Sequence, residues 1–113
     1  MNSPITTHVL DTASGSPAAG IVVRLEKSEG DQWRFINEGK TNADGRVTDL
    51  MTPGKLEMAH YRINFETAAY FAAKSIKGFY PIVRIEFQIE DPSEHYHVPL
   101  LLSPYGYSTY RGS

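Results

Sequence analysis

Apolar and polar residues alternate with period two over most of this chain. Ile21, Val23 and Leu25 alternate with Val22, Arg24 and Glu26, and Trp33, Phe35 and Asn37 alternate with Arg34, Ile36 and Glu38. That period marks strands with one face buried. Turn chemistry at Glu29, Gly30 and Asp31, and again at Asn42, Ala43, Asp44 and Gly45, predicts two hairpins, because Gly, Asn and Asp tolerate the backbone angles that turns require. Tyr61, Ile63 and Phe65 form one face of a further strand, with His60, Arg62, Asn64 and Glu66 on the other. The cleanest alternation sets Val83, Ile85, Phe87 and Ile89 against Arg84, Glu86, Gln88 and Glu90. One short helix is predicted over 67–75, with Ala68, Phe71 and Ala72 at i, i+3, i+4 spacing, ended by Gly78 and separated from the next strand by Pro81. Seven or eight strands with one helix between two of them predict an antiparallel sandwich, since a βαβ protein would repeat helices between its strands.

One strand departs from the in/out rule. Val98, Leu100 and Leu102 share a face, but Pro99 and Leu101 make the opposite face apolar too. Only one face of a sandwich strand points into the core, so the other is predicted to meet another subunit or a covering loop. Pro99 has no amide to donate to a ladder. No repeat, low-complexity tract or linker divides the sequence, so residues 1–113 are expected to fold as a single domain.

Composition narrows the chemistry. At 113 residues the chain is long enough to remove roughly 60 to 70% of its unfolded surface from water. It has no cysteine, so neither a disulfide framework nor a thiolate nucleophile or ligand is available. Eleven basic and 13 acidic residues give a formal charge of −2 without a basic stripe, which argues against nucleic acid as a partner. The opening residues Met1, Asn2, Ser3, Pro4 and Ile5 carry no secretory pattern, and no apolar run approaches the ~18 residues of a membrane span. A soluble, cytoplasmic protein with no membrane association is the expectation.

The chemistry must come from histidine, arginine and hydroxyl groups. His60 lies on the polar face with Arg62, Asn64 and Glu66 and reads as solvated surface. His95 follows the turn at Asp91, Pro92, Ser93 and Glu94 and reads as a polar strand start. His8 sits in a β-favouring run and is either a hydrogen-bonded strand residue or a functional one. His97 interrupts an apolar strand, where a polar ring needs a partner or a purpose. Arg46 closes the turn over 41–45, as a solvated loop cation or as an electrophile whose fork fits planar oxygen-bearing edges. With histidine poised near neutral pH, His8, His97 and Arg46 compose a candidate metal-free hydrolytic set. A rival reading takes His95 and His97, which share a strand face, with His8 as zinc ligands.

A resemblance bears on these alternatives. The run Tyr96-His97-Val98-Pro99-Leu100-Leu101-Leu102-Ser103-Pro104-Tyr105-Gly106-Tyr107-Ser108 resembles the C-terminal signature of the transthyretin-related family. Tyr110-Arg111-Gly112-Ser113 is similar to the ending of its enzyme branch, the 5-hydroxyisourate hydrolases, which the family's hormone carriers lack. His8-Val9-Leu10-Asp11 with Gly15-Ser16-Pro17-Ala18 resembles the N-terminal motif, so the likeness spans nearly the whole chain. The resemblance implies a mainly β, transthyretin-like (prealbumin-like) fold: a two-sheet antiparallel β-sandwich with one short helix. It further implies a homotetramer, a dimer of dimers with sites at the dimer–dimer interface, that needs no metal or other cofactor. It implies that His8 and His97 orient and deprotonate water and that Arg46 binds the substrate 5-hydroxyisourate and stabilises charge. Tyr110, Arg111, Gly112 and Ser113 are implied to help bind substrate and to fix the tail across the subunit interface. Two other functions fit parts of the sequence: a carrier of small aromatic hormones, and an interaction module akin to carboxypeptidase regulatory-like domains, which shares the turn motifs but not the C-terminal signature.

Overall fold

The computed structural model describes residues 3–113; the opening pattern at Met1 and Asn2 lies outside them. Nine strands and one helix follow in the order β1 (Ile5–Asp11), β2 (Ser16–Pro17), β3 (Val22–Glu29), β4 (Gln32–Lys40), β5 (Arg46–Val47), β6 (Ala59–Phe65), α1 (Thr67–Ala73), β7 (Val83–Ile89), β8 (Tyr96–Ser103) and β9 (Gly106–Thr109). They make two sheets, β2-β1-β8-β9 with β5 also on β1, and β4-β3-β6-β7. The expected two-sheet sandwich is therefore what the chain forms. Among the described residues no helix is long and apolar enough to cross a membrane.

The core is the sum of the inward faces that alternation picks out. Val23, Leu25, Tyr61, Ile63, Phe65, Val83 and Ile89 from one sheet meet Ile5, Val9, Val98, Leu100 and Leu102 from the other, all buried. One pairing departs from the antiparallel rule: β1 runs parallel to β8, in continuous register from Ile5 opposite Tyr96 to Asp11 opposite Leu102. Parallel neighbours need a long crossover, and everything between β1 and β8 supplies it.

Three local features differ from the sequence expectation. First, a bulge between Leu25 and Glu26 pairs Leu25 with Asn37 and Glu26 with Phe35, leaving Ile36 as the extra residue. The bulge resets the faces of β4. Ile36 packs against the core, Phe35 is 55% exposed, and Trp33 stacks on the Arg62 guanidinium, 4.3 Å away. Second, the turn over 42–45 does not close a hairpin. It carries the chain from β4 to β5, which pairs with β1 in the opposite sheet. Asn42 Oδ1 accepts from the amides of Asp44 (2.9 Å) and Arg46 (3.0 Å). Gly45 takes φ +75°, and a Cβ there would fall on the Val9 carbonyl oxygen, so both the left-handed backbone and the close approach require glycine. Third, α1 is shorter than expected and buries Thr67, Tyr70 and Phe71, not Ala68 and Ala72.

That choice of helix face has a polar cause. Asp11 ends β1 at 2% exposure, where an unpaired carboxylate would be costly. Its Oδ1 accepts from the amides of Ala13 (3.0 Å) and Ser14 (3.1 Å), and its Oδ2 accepts from the Tyr70 hydroxyl at 2.7 Å. Burial pushes the Asp11 carboxyl up, but the Tyr70 hydroxyl, the two amides and Lys74 outweigh it and hold the group below its ordinary value. A depressed carboxyl contributes stability above its unfolded pKa and loses it as pH falls through the folded value. Tyr70→Phe removes one of the depressing bonds. It is expected to cost about 1–3 kcal/mol, the penalty for a buried acceptor stripped of its donor, and to shrink the stability difference between neutral and acid pH, both read from urea unfolding at several pH values.

Candidate active site

The outer face of the β1/β8 sheet is assembled by register. Along β1, Ile5, Thr7, Val9 and Asp11 are buried while Thr6, His8 and Leu10 point the other way. Along β8, Tyr96, Val98, Leu100 and Leu102 point inward, and His97, Pro99, Leu101 and Ser103 outward. The parallel pairing sets Thr6 opposite His97 and His8 opposite Pro99. The crossing turn then delivers β5, with Arg46 opposite His8. Three chemistry-bearing residues that are remote in sequence thus share one face on neighbouring strands.

His97 is the most constrained of them. Its Nδ1 lies 2.8 Å from Thr6 Oγ1, and the same hydroxyl lies 3.1 Å from His95 Nε2. The two imidazole rings stack at 13° with centroids 6.5 Å apart. Burial, the Arg46 charge, His95 and His8 together hold His97 below the ordinary histidine pKa, so the ring is neutral at neutral pH. His8 is half-buried and Arg46 exposed. Beside them opens a cleft of about 540 Å³ whose wall includes Arg46, Thr6, His95, Thr48, Asp49 and Thr52. His60 stands on the other sheet, exposed, with Nδ1 3.6 Å from Glu86, as its polar strand face implied.

Residues 110–113 continue β9 along β8 of their own chain. Gly112 pairs with His97, its amide donating to the His97 carbonyl at 2.8 Å, in the same register that sets Leu100 opposite Thr109. Between these points the ladder is interrupted where Pro99 has no amide, and the Thr109 hydroxyl donates to the Pro99 carbonyl instead at 2.7 Å. A Cβ on Gly112 would stand 2.6 Å from His97 Cδ2 and 3.3 Å from Pro99 Cγ. The tail is thereby laid directly on the His97 ring. Tyr110, opposite Pro99 by register, is 59% exposed, and Ser113 is exposed. Arg111 is held by contacts within its own chain. Its guanidinium stacks 4.3 Å over the Tyr96 ring and donates to Glu94 Oε1 (3.2 Å) and the His95 carbonyl (3.3 Å). It pins the tail and is turned away from His8 and Arg46, because successive strand residues point to opposite faces.

Sequence analysis missed Thr6, which reads as an ordinary β-former. The signal was its position two residues before His8, on the same strand face. Among the described residues no three His, Cys, Asp or Glu side chains converge as metal ligands, so the zinc set of His8, His95 and His97 is not assembled: His8 pairs beside Pro99, two positions along from the Thr6–His97 pair.

The charges around His97 yield a direct test. In an NMR titration of ring protons, His97 is expected to protonate below the ordinary value of ~6.5. Arg46→Gln removes one of the opposing charges and is expected to move that midpoint upward. An unmoved midpoint would mean that the Arg46 charge does not reach the ring.

With this geometry in view, the chain was compared with known proteins. The HIUase/Transthyretin family pattern matches residues 5–112. The 5-hydroxyisourate hydrolase of Mus musculus is 46% identical over 114 aligned residues, covering 99% of this chain and 97% of that protein. The solved structure of Klebsiella pneumoniae 5-hydroxyisourate hydrolase superposes with a TM-score of 0.84 at 35% identity, covering all of both chains. Sea bream transthyretin, solved in complex with thyroxine, superposes with a TM-score of 0.91 at 29% identity, covering 96% of this chain and 94% of that one. On the evidence of sequence and fold together, the chain belongs to the HIUase/Transthyretin family.

Proposed function

We propose that this chain is an enzyme that hydrolyses 5-hydroxyisourate in urate degradation, opening the six-membered ring at an amide bond to give 2-oxo-4-hydroxy-4-carboxy-5-ureidoimidazoline. The observation that carries this reading is the alignment of His8, Arg46 and His97 across three neighbouring strands on one sheet face, in a chain 46% identical to a hydrolase of that name. Superposition alone does not choose between hydrolase and carrier, because a thyroxine-binding transthyretin fits the fold as well as a hydrolase does. The side chains favour the hydrolase. A face lined by two imidazoles and a guanidinium suits proton transfer and oxyanion binding better than an apolar hormone.

In the proposed mechanism His97 is the general base. It is neutral at neutral pH, and with Thr6 on Nδ1 its Nε2 is the nitrogen left for water. His8 orients that water. As the water oxygen adds to the scissile carbonyl carbon, the proton passes to His97 and charge gathers on the carbonyl oxygen. Arg46 meets that charge with a donor fork. The C–N bond then breaks and the ring nitrogen takes a proton. Tyr110 closes over the substrate, and Gly112 keeps the tail against the base. No metal is required at any step.

One chain leaves this face open, with Leu10 and Leu101 only partly covered. We propose a homotetramer, a dimer of dimers in which facing copies of this sheet enclose the substrate, which also explains why the outward face of β8 is apolar.

The first experiment generates 5-hydroxyisourate from urate with urate oxidase and follows its ultraviolet decay against the spontaneous rate. Accelerated decay that survives a chelator is expected; loss on chelation would move the chemistry to a metal, and no acceleration by folded protein would leave a binding module. Arg46→Ala is expected to lower turnover about a hundredfold or more, the range for losing one preorganised donor. Full turnover in a folded variant would remove Arg46 from the mechanism. Deleting residues 110–113 is expected to abolish turnover while leaving the tetramer and its melting temperature nearly unchanged, and an active truncation would end the role given to the tail.

A further inference from the structure

His97 has a polar neighbour that the mechanism above uses only to occupy Nδ1. Thr6 Oγ1 stands between His97 Nδ1, at 2.8 Å, and His95 Nε2, at 3.1 Å. A hydroxyl carries one proton and two acceptor sites. It can therefore donate to only one of the two rings, and where it does so it accepts from the other, which sets the two rings in complementary tautomers. His95 is exposed, so the chain His97–Thr6–His95 runs from a half-buried ring to solvent.

We infer that Thr6 positions His97 as a base and, with His95, forms a relay that carries the positive charge outward from His97 until the departing ring nitrogen takes its proton. In the resting state His97 Nδ1–H donates to Thr6 Oγ1, and Thr6 donates to His95 Nε2. That arrangement leaves the His97 Nε2 lone pair facing the water. When Nε2 takes the proton, Nδ1–H passes to Thr6 and the Thr6 proton passes to His95 Nε2. One proton enters at His97 and one emerges on His95 as imidazolium, so the step balances without any other reactant. His97 ends neutral, with its proton now on Nε2; as the C–N bond breaks the relay reverses, His95 returning its proton through Thr6 to His97 Nδ1 while Nε2–H passes to the departing ring nitrogen, which restores the resting tautomer with no proton left over.

The surroundings favour this export. The ionisable groups gathered about His97 are Arg46 on β5, His8 on β1 and His95 before β8, and all of them oppose a second positive charge. Glu94 and Arg111 pair with each other and are turned to the other side. Moving the proton outward to an exposed ring relieves the crowding at His97. The stacked, near-parallel rings are held for this by the period of β8, which sets residues 95 and 97 on one side.

This inference rests on His97 being the base, so its test begins with a measurement that needs no substrate. Ring ¹⁵N shifts at pH 7.5 are expected to show His97 protonated at Nδ1 in the parent protein and in Thr6→Ser. In Thr6→Val the signal is expected to move toward the Nε2–H form. Turnover of 5-hydroxyisourate should then fall about tenfold in Thr6→Val with KM within twofold, and recover in Thr6→Ser, a part of the ~10²–10⁴ that a positioned base contributes. An unchanged His97 tautomer in Thr6→Val overturns the inference whatever the activity. If Thr6→Val does not fold, His95→Gln decides: it is expected to make turnover depend on buffer concentration, with imidazole restoring the rate. Parent-like turnover with no buffer dependence in His95→Gln would overturn the relay. A parent protein with the Nδ1–H tautomer that fails to hydrolyse 5-hydroxyisourate would defeat the proposed function and leave the positioning by Thr6 standing.

Discussion

The parallel pairing of β1 with β8 is the constraint on which the rest of the molecule hangs. Because side chains alternate strictly along a strand, a slip of one residue would exchange the inner and outer faces of a whole strand. In the observed register Ile5, Val9, Leu100 and Leu102 all enter the core, and Thr6, His8, His97 and Pro99 all leave it. The buried Thr7 hydroxyl fastens the pairing by donating to the Val98 carbonyl at 2.6 Å. The hydrophobic core and the candidate site are therefore fixed by the same ladder. A chain cannot misplace His97 relative to Thr6 without also putting leucines into water.

The edge of that sheet obeys a subtler rule. Pro99 removes an amide from β8 where the tail would otherwise continue the ladder, and the chain recovers its register only at Gly112. The interruption falls at Tyr110, the residue opposite Pro99, whose side chain is largely exposed. Gly112 restores the ladder because nothing larger fits against the His97 ring, and Arg111 clamps the segment from the other side through Tyr96 and Glu94. The sequence Tyr-Arg-Gly thus differs residue by residue: one side chain exposed, one an anchor, and one absent so that backbone touches imidazole.

Much of this was legible before any coordinates. Period-two alternation picked out β3, β6, β7 and β8 with the correct inward residues, and the doubly apolar β8 pointed to an outer face needing cover. What escaped were features decided by residues far apart in sequence. The bulge at Ile36 follows from the twist and pairing of β3 against β4, which alternation within β4 alone does not record. The turn over 42–45 has hairpin chemistry, yet the strand it leads into finds its partner in β1. The helix buries Tyr70 and not Ala68 or Ala72 because a carboxylate at Asp11 must be satisfied, and that carboxylate lies 59 residues away. The surroundings of Arg111 and Thr6 escaped for one reason: they depend on which face the register assigns each residue.

Why such a face suits the proposed catalysis is a matter of energetic economy. Two half-buried imidazoles beneath an apolar strand are poor packing material, since buried polar groups destabilise unless each finds a partner. His97 has partners at Thr6 and in the backbone of Gly112, but those contacts satisfy Nδ1 and the carbonyl, not Nε2. A purely structural histidine would direct both ring nitrogens to protein groups. Here burial first, and then Arg46, His95 and His8, suppress the charged form, so the ring keeps an available lone pair at neutral pH near a guanidinium. A carrier would gain nothing from holding a neutral base next to a guanidinium. The proposed hydrolysis uses both together, the base to take the water proton and the cation to meet the oxyanion as it forms.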